Sequence, residues 1–320
     1  MKHVFVFDPK AFYNQQWKMD NMLDVIGQFF RTQESPDFSI QFSRYRRNAM
    51  QIIHDEVEKA KPGDIVRIYA IGGEEILFDC LNAAAHFHNL QLAAVPHGKI
   101  NDFFKIFGDD KVDTFRDIPL LVQSDALPTD AIRWGVNYAL NSCYIGMNSA
   151  ISKRVKEMRS KMNKTSFNLF SKLSAFLNFF VSAFDKNVTA HRYEISIDDE
   201  DYSGSYCLIH VANGPYYNDK ITGSKDATPD DGLLDIALIK SSHPLGTLFS
   251  MRKYSKGKKP KNCVLVQGKK ISVKTEIPIW IQLDDEYIRD TNISLSVVSH
   301  AVQLVAAEGL AYPMASMAEA

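Results

Sequence analysis

The sequence has few cysteines and pairs none of them. Cys80, Cys143, Cys207 and Cys263 lie far apart along 320 residues. That spacing excludes a CxxC redox pair and a zinc knuckle, and the expectation is buried free thiols in a reducing cytosol. No stretch reaches the roughly 18 apolar residues of a membrane-crossing helix. The opening run Met1 to Phe7 is apolar but breaks at Asp8-Pro9. It is shorter than the apolar core of a secretion signal and lacks a small-residue cleavage site, so it reads as a first strand. No charge of one sign dominates, and the formal net charge is −1. A global pull toward nucleic acid or membrane is thereby excluded, no nucleic-acid partner is expected, and any attraction must come from a local patch. Internal repeats and low-complexity tracts are missing too. His54, His86, His88 and His97 do not form a metal-binding constellation.

What is present is a soluble globular composition, 45% hydrophobic and 23% charged, at a length that suits about two domains. The first part alternates strand-like and helix-like stretches. Strands are expected at Val4 to Phe7, Phe38 to Phe42, Ile65 to Ile71 and Leu92 to Val95, and helices at Met19 to Arg31, Asn48 to Lys59 and Ile76 to His88. Such alternation predicts a largely parallel sheet covered by helices. Arg133 to Leu140 reads as a strand that enters a new sheet, and Ser152 to Asp185 as helical in two pieces. From Tyr193 onward strands dominate: Arg192 to Ile197, Tyr206 to Ala212, Leu234 to Ile239, Cys263 to Gln267, Lys270 to Lys274, Ile279 to Leu283, Ile293 to Val298 and Ala301 to Ala306. Asp, Gly, Pro and Asn fill the turns, which predicts an antiparallel sandwich or barrel. The expected fold class is therefore α/β plus β. The expected boundary lies near Pro128-Thr129, giving domains 1–128 and 129–306, with the tail 307–320 packing back on the first.

Four local patterns carry chemistry. The strand Ile65 to Ile71 runs into Gly72-Gly73 and a helix. Paired glycines allow a tight turn, and a helix N-terminus offers free N–H groups to a phosphate. A compact connection explains the same pattern. The strand Leu92 to Pro96 repeats the geometry through His97-Gly98-Lys99, with Asn101 as N-cap before Asp102-Phe103. Both openings would face one crevice at the edge of a parallel sheet. Pro229-Asp230-Asp231-Gly232 is either an ordinary turn or a holder for a hard cation. In Asp284-Asp285-Glu286 the first and third side chains share a side of an extended chain and suit either a general base with its partner or a metal ligand. A hairpin turn with solvated carboxylates is the competing reading.

Taken in order, these sites resemble the diacylglycerol kinase catalytic family, which is related to sphingosine kinases. Its motifs N-P-x-S-G, G-G-D-G-T, P-x-G-T-x-N-D-F, N-G-x-x-x-G-G, D-D-G-x-L-D and D-G-E correspond here to Asp8-Pro9-Lys10-Ala11-Phe12, Gly72-Gly73-Glu74-Glu75-Ile76, Pro96 to Phe103, Asn213-Gly214-Pro215-Tyr216-Tyr217, Asp230 to Asp235 and Asp284-Asp285-Glu286. The resemblance spans nearly the whole chain. It implies an N-terminal nucleotide-binding domain, a C-terminal β-rich domain and a cleft between them. It implies ATP as phosphoryl donor, Mg²⁺ as cofactor and a lipid hydroxyl as acceptor. Glu286 would accept the proton, with Asp284 as its partner and Glu74 as the carboxylate of the glycine loop. Asp8, Ser43, Gly72, Gly73, Glu74, Gly98, Lys99, Asn101 and Asp102 would contact the nucleotide, and Asp231 with the carbonyls of Thr228 and Leu233 would hold the metal. The implied setting is cytoplasmic, with peripheral contact at the inner membrane face. A homodimer is compatible with it.

The departures from the family cluster in the nucleotide loops. Asp8 stands for Asn, Phe12 for Gly, Glu74 for Asp, Glu75 for Gly, Ile76 for Thr, and Lys99 for Thr. Glu74 and Glu75 favour the positive end of their own helix by about 0.3–1 kcal/mol each and compete with phosphate for it. A phosphate about 4 Å from one of them meets a repulsion of about 4 kcal/mol at an effective dielectric near 20, before screening. A bridging Mg²⁺ reverses that sign. The expectation is weakened nucleotide binding, and the alternative to a working kinase is a weak or inactive member that keeps the fold for lipid binding or regulation. A kinase for a soluble acceptor is a third reading, since NAD kinases share a similar glycine loop. Two stretches are candidates for touching lipid: the Phe- and Leu-rich segment Phe167 to Phe184 after a basic run, and the basic run Arg252, Lys253, Lys256, Lys258, Lys259 and Lys261. A core-facing helix and a solvated loop are the competing readings.

Overall fold

A computed structural model describes residues 1–33, 36–97, 102–146, 149–154, 157, 192–217, 220–221, 223–284, 286–307 and 309–313. The expected contacts at Gly98, Lys99 and Asn101 and the Phe-rich segment 167–184 lie outside these residues. So does Asp285.

The chain opens with β1 (Lys2–Phe7), α1 (Gln16–Arg31), β2 (Phe38–Phe42), α2 (Asn48–Glu58), β3 (Val66–Gly72), α3 (Glu74–Ala84) and β4 (Leu90–Pro96). β2, β1, β3 and β4 lie side by side and every pairing among them is parallel. β1 and β3 are buried along their whole length, which matches their unbroken apolar runs. A short α4 (Ile118–Gln123) leads to β5 (Ala126–Trp134) and β6 (Asn137–Ala139).

The strand expected at 133–140 is instead the hairpin of β5 and β6. Trp134 pairs with Asn137, and Gly135 makes the reversal at a φ of 58°. A positive φ at that position suits glycine. β5 also runs unbroken through Pro128 and Thr129, so the chain passes from one core to the next inside a strand.

The rest is mostly antiparallel: β7 (Ser142–Gly146), β8 (Arg192–Ile197), β9 (Glu200–Asp201), β10 (Gly204–Ala212), the small pair β11 (Tyr216–Tyr217) and β12 (Lys220–Ile221), β13 (Leu234–Lys240), α5 (Pro244–Tyr254), β14 (Cys263–Gly268), β15 (Lys270–Leu283) and β16 (Glu286–Val305). One path of pairings runs β14-β13-β10-β7-β15-β16-β4-β3-β1-β2. Two long strands replace what the sequence reads as four short ones. Pro278 sits in a register shift of β15 between Lys274 and Ile279, and Ser299-His300 in one of β16 between Val298 and Val302. Such irregularities break the alternation without ending the strand.

β16 joins the two halves. Its far end, Val302 to Val305, packs in the core around β1, β3 and β4, and its middle, Ile293 and Leu295, in the core of the antiparallel strands. Gln303 and Leu304 pair with Gln91 and Leu92 of β4. Beyond β16, Tyr312 stacks on Phe107 at 5.2 Å, and its hydroxyl lies 2.7 Å from that of Thr129. All four cysteines are buried and free.

Candidate functional site

The site lies where the ends of the parallel strands meet the start of β16. β1 ends at Phe7, and Asp8 caps a short 3-10 turn, Pro9–Phe12, by accepting a hydrogen bond from the Lys10 backbone N–H at 3.1 Å. This turn packs against the glycine loop. Gly72 has a φ of 152°, and a Cβ there would stand 2.9 Å from the Asp8 Cβ and 3.0 Å from Cγ2 of Ile76. Only a glycine fits that approach. A Cβ at Gly73 would meet nothing within 4 Å, so the second glycine borders open space. α3 starts immediately after it, with Glu74 and Glu75 in its first turn.

The third side of the cleft is the turn before α2. The Ser43 N–H donates to the Phe7 carbonyl, and Oδ1 of Asn48 accepts from the Arg44 N–H at 2.9 Å. Held in this way, the turn presents Arg46 and Arg47 to the cleft. Asp8, Lys10, Ser43, Tyr45, Arg46, Glu75, Ile76 and Asp79 line a narrow opening with a cavity volume of about 10 Å³, the room of a single water, which widens into open solvent.

Glu286, the first residue of β16, reaches the same place. Its carboxylate is ion-paired with Arg46, and its side chain is 12% exposed. Beside it, Arg47 Nη1 lies 3.3 Å from Oδ1 of Asp79, and the Arg47 guanidinium sits 4.7 Å from the centre of the Phe78 ring. Burial pushes the Asp79 carboxyl up to about 6; Arg47 opposes this, and Glu75 and Glu286 add to it. Asp8 is also raised, by burial first and by Glu75 among the charges.

Asp284 does something different. Its Oδ2 accepts from the Leu140 N–H at 2.7 Å, and its Oδ1 accepts from the Asn141 and Ser142 N–H groups at 3.1 and 2.9 Å. Its φ of 48° bends the chain between β15 and β16. The carboxylate therefore anchors this turn to the start of β7 and fixes the backbone two residues before Glu286. Asn213 adds a second clasp, donating to the carbonyls of Asp130 and Leu140 at 2.9 and 2.7 Å.

The 228–233 turn lies elsewhere, against β5. The buried Asp130 carboxylate accepts from the Gly232 and His300 N–H groups at 2.7 and 2.8 Å. Oδ1 of Asp231 accepts from the Leu233 N–H at 2.9 Å. Burial raises Asp230 and Asp231, and the neighbouring Asp130 raises both further. The donors there are all oxygens, and the crowding of like charge is what a hard cation relieves. Among the described residues no group of three or more His, Cys, Asp or Glu is arranged to share one ion.

The structure thus brings together Asp8, Ser43, Gly72, Gly73 and Glu286. Glu74 occupies the first turn of α3, directly after Gly73, and Asp102 is buried in an ion pair with Lys105 at 3.3 Å. Asp231, Thr228 and Leu233 belong to the separate turn. Sequence reasoning missed Asp79, Arg46, Arg47 and Asp130. Asp79 had a signal: it stands four residues after Glu75 on α3, hence on the same helix face.

Asp79 gives a pH prediction. A carboxyl whose folded pKa is raised stabilises the fold below its unfolded value, near 4, and that contribution disappears as pH rises through about 6. Asp235, also pushed up to about 6 by burial, acts with the same sign. Asp79→Asn is therefore expected to gain stability relative to the parent protein as pH rises from about 4 to 6. Urea unfolding across that range checks it; a difference independent of pH contradicts the Asp79 assignment.

Residues 141–306 match the model of the YegS C-terminal NAD kinase beta sandwich-like domain, and the chain belongs to that family. It is 25% identical over 311 residues to a protein named "Putative lipid kinase" from Staphylococcus aureus strain Mu3, covering 93% of this chain and 97% of that one. A protein of the same name from strain Newman matches to the same extent. The fold is shared with a "putative diacylglycerol kinase" from Bacillus anthracis str. Sterne, at a TM-score of 0.72 and 19% identity over 97% of this chain and 96% of that one. A second diacylglycerol kinase structure from that organism gives 0.68 at 17% identity, over 97% and 98%.

Proposed function

We propose that the protein is a lipid kinase of the diacylglycerol kinase type, transferring a phosphoryl group from ATP to a lipid hydroxyl. The observation that supports this best is the ion pair between Arg46 and Glu286, which puts a carboxylate from the β-rich half at the mouth of a cleft built on the glycine loop of the first half. Glu286 takes the hydroxyl proton as the lipid oxygen attacks the γ-phosphorus of ATP, the bond from that phosphorus to the bridging oxygen breaks, and ADP leaves. Arg46, with 59% of its side chain exposed, is free to swing from Glu286 to a phosphate oxygen. Asp284 is a positioning residue that fixes the strand carrying Glu286. Asp8, Ser43 and the Gly72-Gly73 loop border the nucleotide, with Glu74 at the helix N-terminus behind it. In this reading Gly98, Lys99, Asn101 and Asp102 complete that set. Mg²⁺, when bound with the nucleotide, would neutralise the phosphate charge that the acidic side chains here would otherwise repel. At the 228–233 turn Asp231 and the carbonyls of Thr228 and Leu233 would hold a second ion, with water completing its shell. The first domain, residues 1–128, is the nucleotide side and residues 129–306 the acceptor side. Lipid is reached peripherally at a membrane surface facing the cytoplasm.

A second reading, a weak or inactive member kept for lipid binding or regulation, is favoured by one contact. Phe12, fully buried, stacks on His97 at 4.0 Å and 12°. An aromatic pair thus fills the space between the first and third loops. Burial lowers the His97 pKa, so its neutral ring brings no charge to a phosphate. Calorimetric titration with ATP, with and without Mg²⁺, separates the two. The kinase reading predicts weak binding that requires Mg²⁺ and falls further when Asp8 is replaced by Ala; no heat at millimolar MgATP supports the second reading.

A further inference from the structure

Residues 236–275 contain ten Lys or Arg and no Asp or Glu. In a chain of net charge −1 this is a strong local asymmetry. The centre of the stretch is α5 and the turn after it. α5 is fixed from beneath: Thr247 and Tyr254 are buried, the Tyr254 hydroxyl lies 2.6 Å from Nδ1 of His210 and 3.2 Å from Oγ of Ser224, and burial keeps His210 neutral with a pKa of about 3. The opposite face carries Leu245 and Phe249, one helical turn apart and 51% and 68% exposed. Arg252 and Lys253 follow in the last turn of the helix, then Lys256, Lys258, Lys259 and Lys261, all exposed. None of these six cations is in an ion pair among the described residues.

Two apolar side chains bounded by unneutralised cations suit an interface that is apolar inside and anionic at its surface. We propose that the outer face of α5 and the turn 255–261 dock the protein on an anionic lipid bilayer. Leu245 and Phe249 enter the boundary between headgroups and acyl chains, and the six cations take the lipid phosphates. An acidic soluble partner would satisfy the cations but leave the two apolar side chains in water. The docking shares with the kinase reading only the bilayer as partner, and it holds whether or not phosphoryl transfer occurs.

Vesicle sedimentation of the full chain, without nucleotide, tests it. The protein is expected to pellet with phosphatidylcholine vesicles containing about one-third phosphatidylglycerol, to stay in solution with phosphatidylcholine alone, and to be released at about 1 M salt, where the screening length falls to about 3 Å. Charge reversal at Lys256, Lys258 and Lys259 together is expected to lower partitioning ~100-fold or more, since removing each of the three charges costs about five-fold. Leu245→Ser with Phe249→Ser is expected to lower it at least ~10-fold. All of these positions are exposed, so folding is retained and the thermal midpoint checks it. Three results overturn the proposal. One is partitioning indifferent to phosphatidylglycerol or to both variants. Another is equal binding of a DNA oligonucleotide that survives loss of Leu245 and Phe249, which marks a soluble polyanion site. The third is conversion of a dimer to a monomer by Phe249→Ser in light scattering, which marks a subunit contact. A kinase assay that fails leaves each of these readings unchanged.

Discussion

Glu286→Gln is expected to lower turnover on a lipid hydroxyl by about 10²–10⁴-fold, the usual contribution of a positioned general base. The substitution keeps the shape of the side chain and removes its proton-accepting charge. The KM values for lipid and nucleotide should change little, because the lost interaction belongs to the transition state. Stability should also change little. The partner, Arg46, is largely exposed, so solvent screens the pair on that side, and Gln keeps a hydrogen-bonding oxygen for it. Steady-state kinetics with a thermal unfolding control decides it: full turnover in the variant would remove Glu286 from the chemistry, and a collapsed fold would make it structural.

The second large effect is on stability. Asp284→Ala removes three hydrogen bonds from backbone N–H groups to a charged acceptor and leaves Leu140, Asn141 and Ser142 N–H without it. Hydrogen bonds to charged groups contribute about 1.5–3 kcal/mol each, and water entering this half-buried turn restores part of the loss. A loss of about 3 kcal/mol or more is expected. Asp284→Asn keeps one good acceptor and should lose less. The urea midpoint measures both. A loss of activity at unchanged stability in Asp284→Ala would mean that the carboxylate acts on substrate rather than through the backbone.

These two neighbours show what the sequence can and cannot reveal. Both were found by the same D-x-E pattern, and the pattern correctly placed them at the end of a strand. The alternation that puts their side chains on one side assumes an extended chain. The left-handed backbone of Asp284 breaks that assumption. It turns one carboxylate into the backbone of residues 140–142 and leaves the other at the cleft. The strand–Gly-Gly–helix unit was legible because it is local: the apolar run, the glycines and the helical spacing sit within one stretch of chain. Asp79 was reachable by helical spacing from Glu75. Its partner Arg47, and Arg46 beside Glu286, were not, since those contacts join positions 32 and 240 apart in sequence.

Elements were missed for equally physical reasons. α5 has no strong apolar stripe, because it shows Leu245 and Phe249 to solvent and is held by Tyr254 from below. β7, Ser142–Gly146, is buried along its whole length and so lacks the alternation that marks a half-exposed strand. Asp130 belongs to no motif, and it is a fully buried latch for the turns at Gly232 and His300. The altered residue Phe12 was visible in the sequence as a missing glycine, but its stacking on His97 required the fold.

The most direct test is mass spectrometry of diacylglycerol-containing mixed micelles incubated with the protein and MgATP, run beside Glu286→Gln. The kinase account predicts a lipid heavier by one phosphoryl group, formed only with Mg²⁺ and nearly absent with the variant. No phosphorylated lipid from the parent protein, or equal amounts from both proteins, would contradict it.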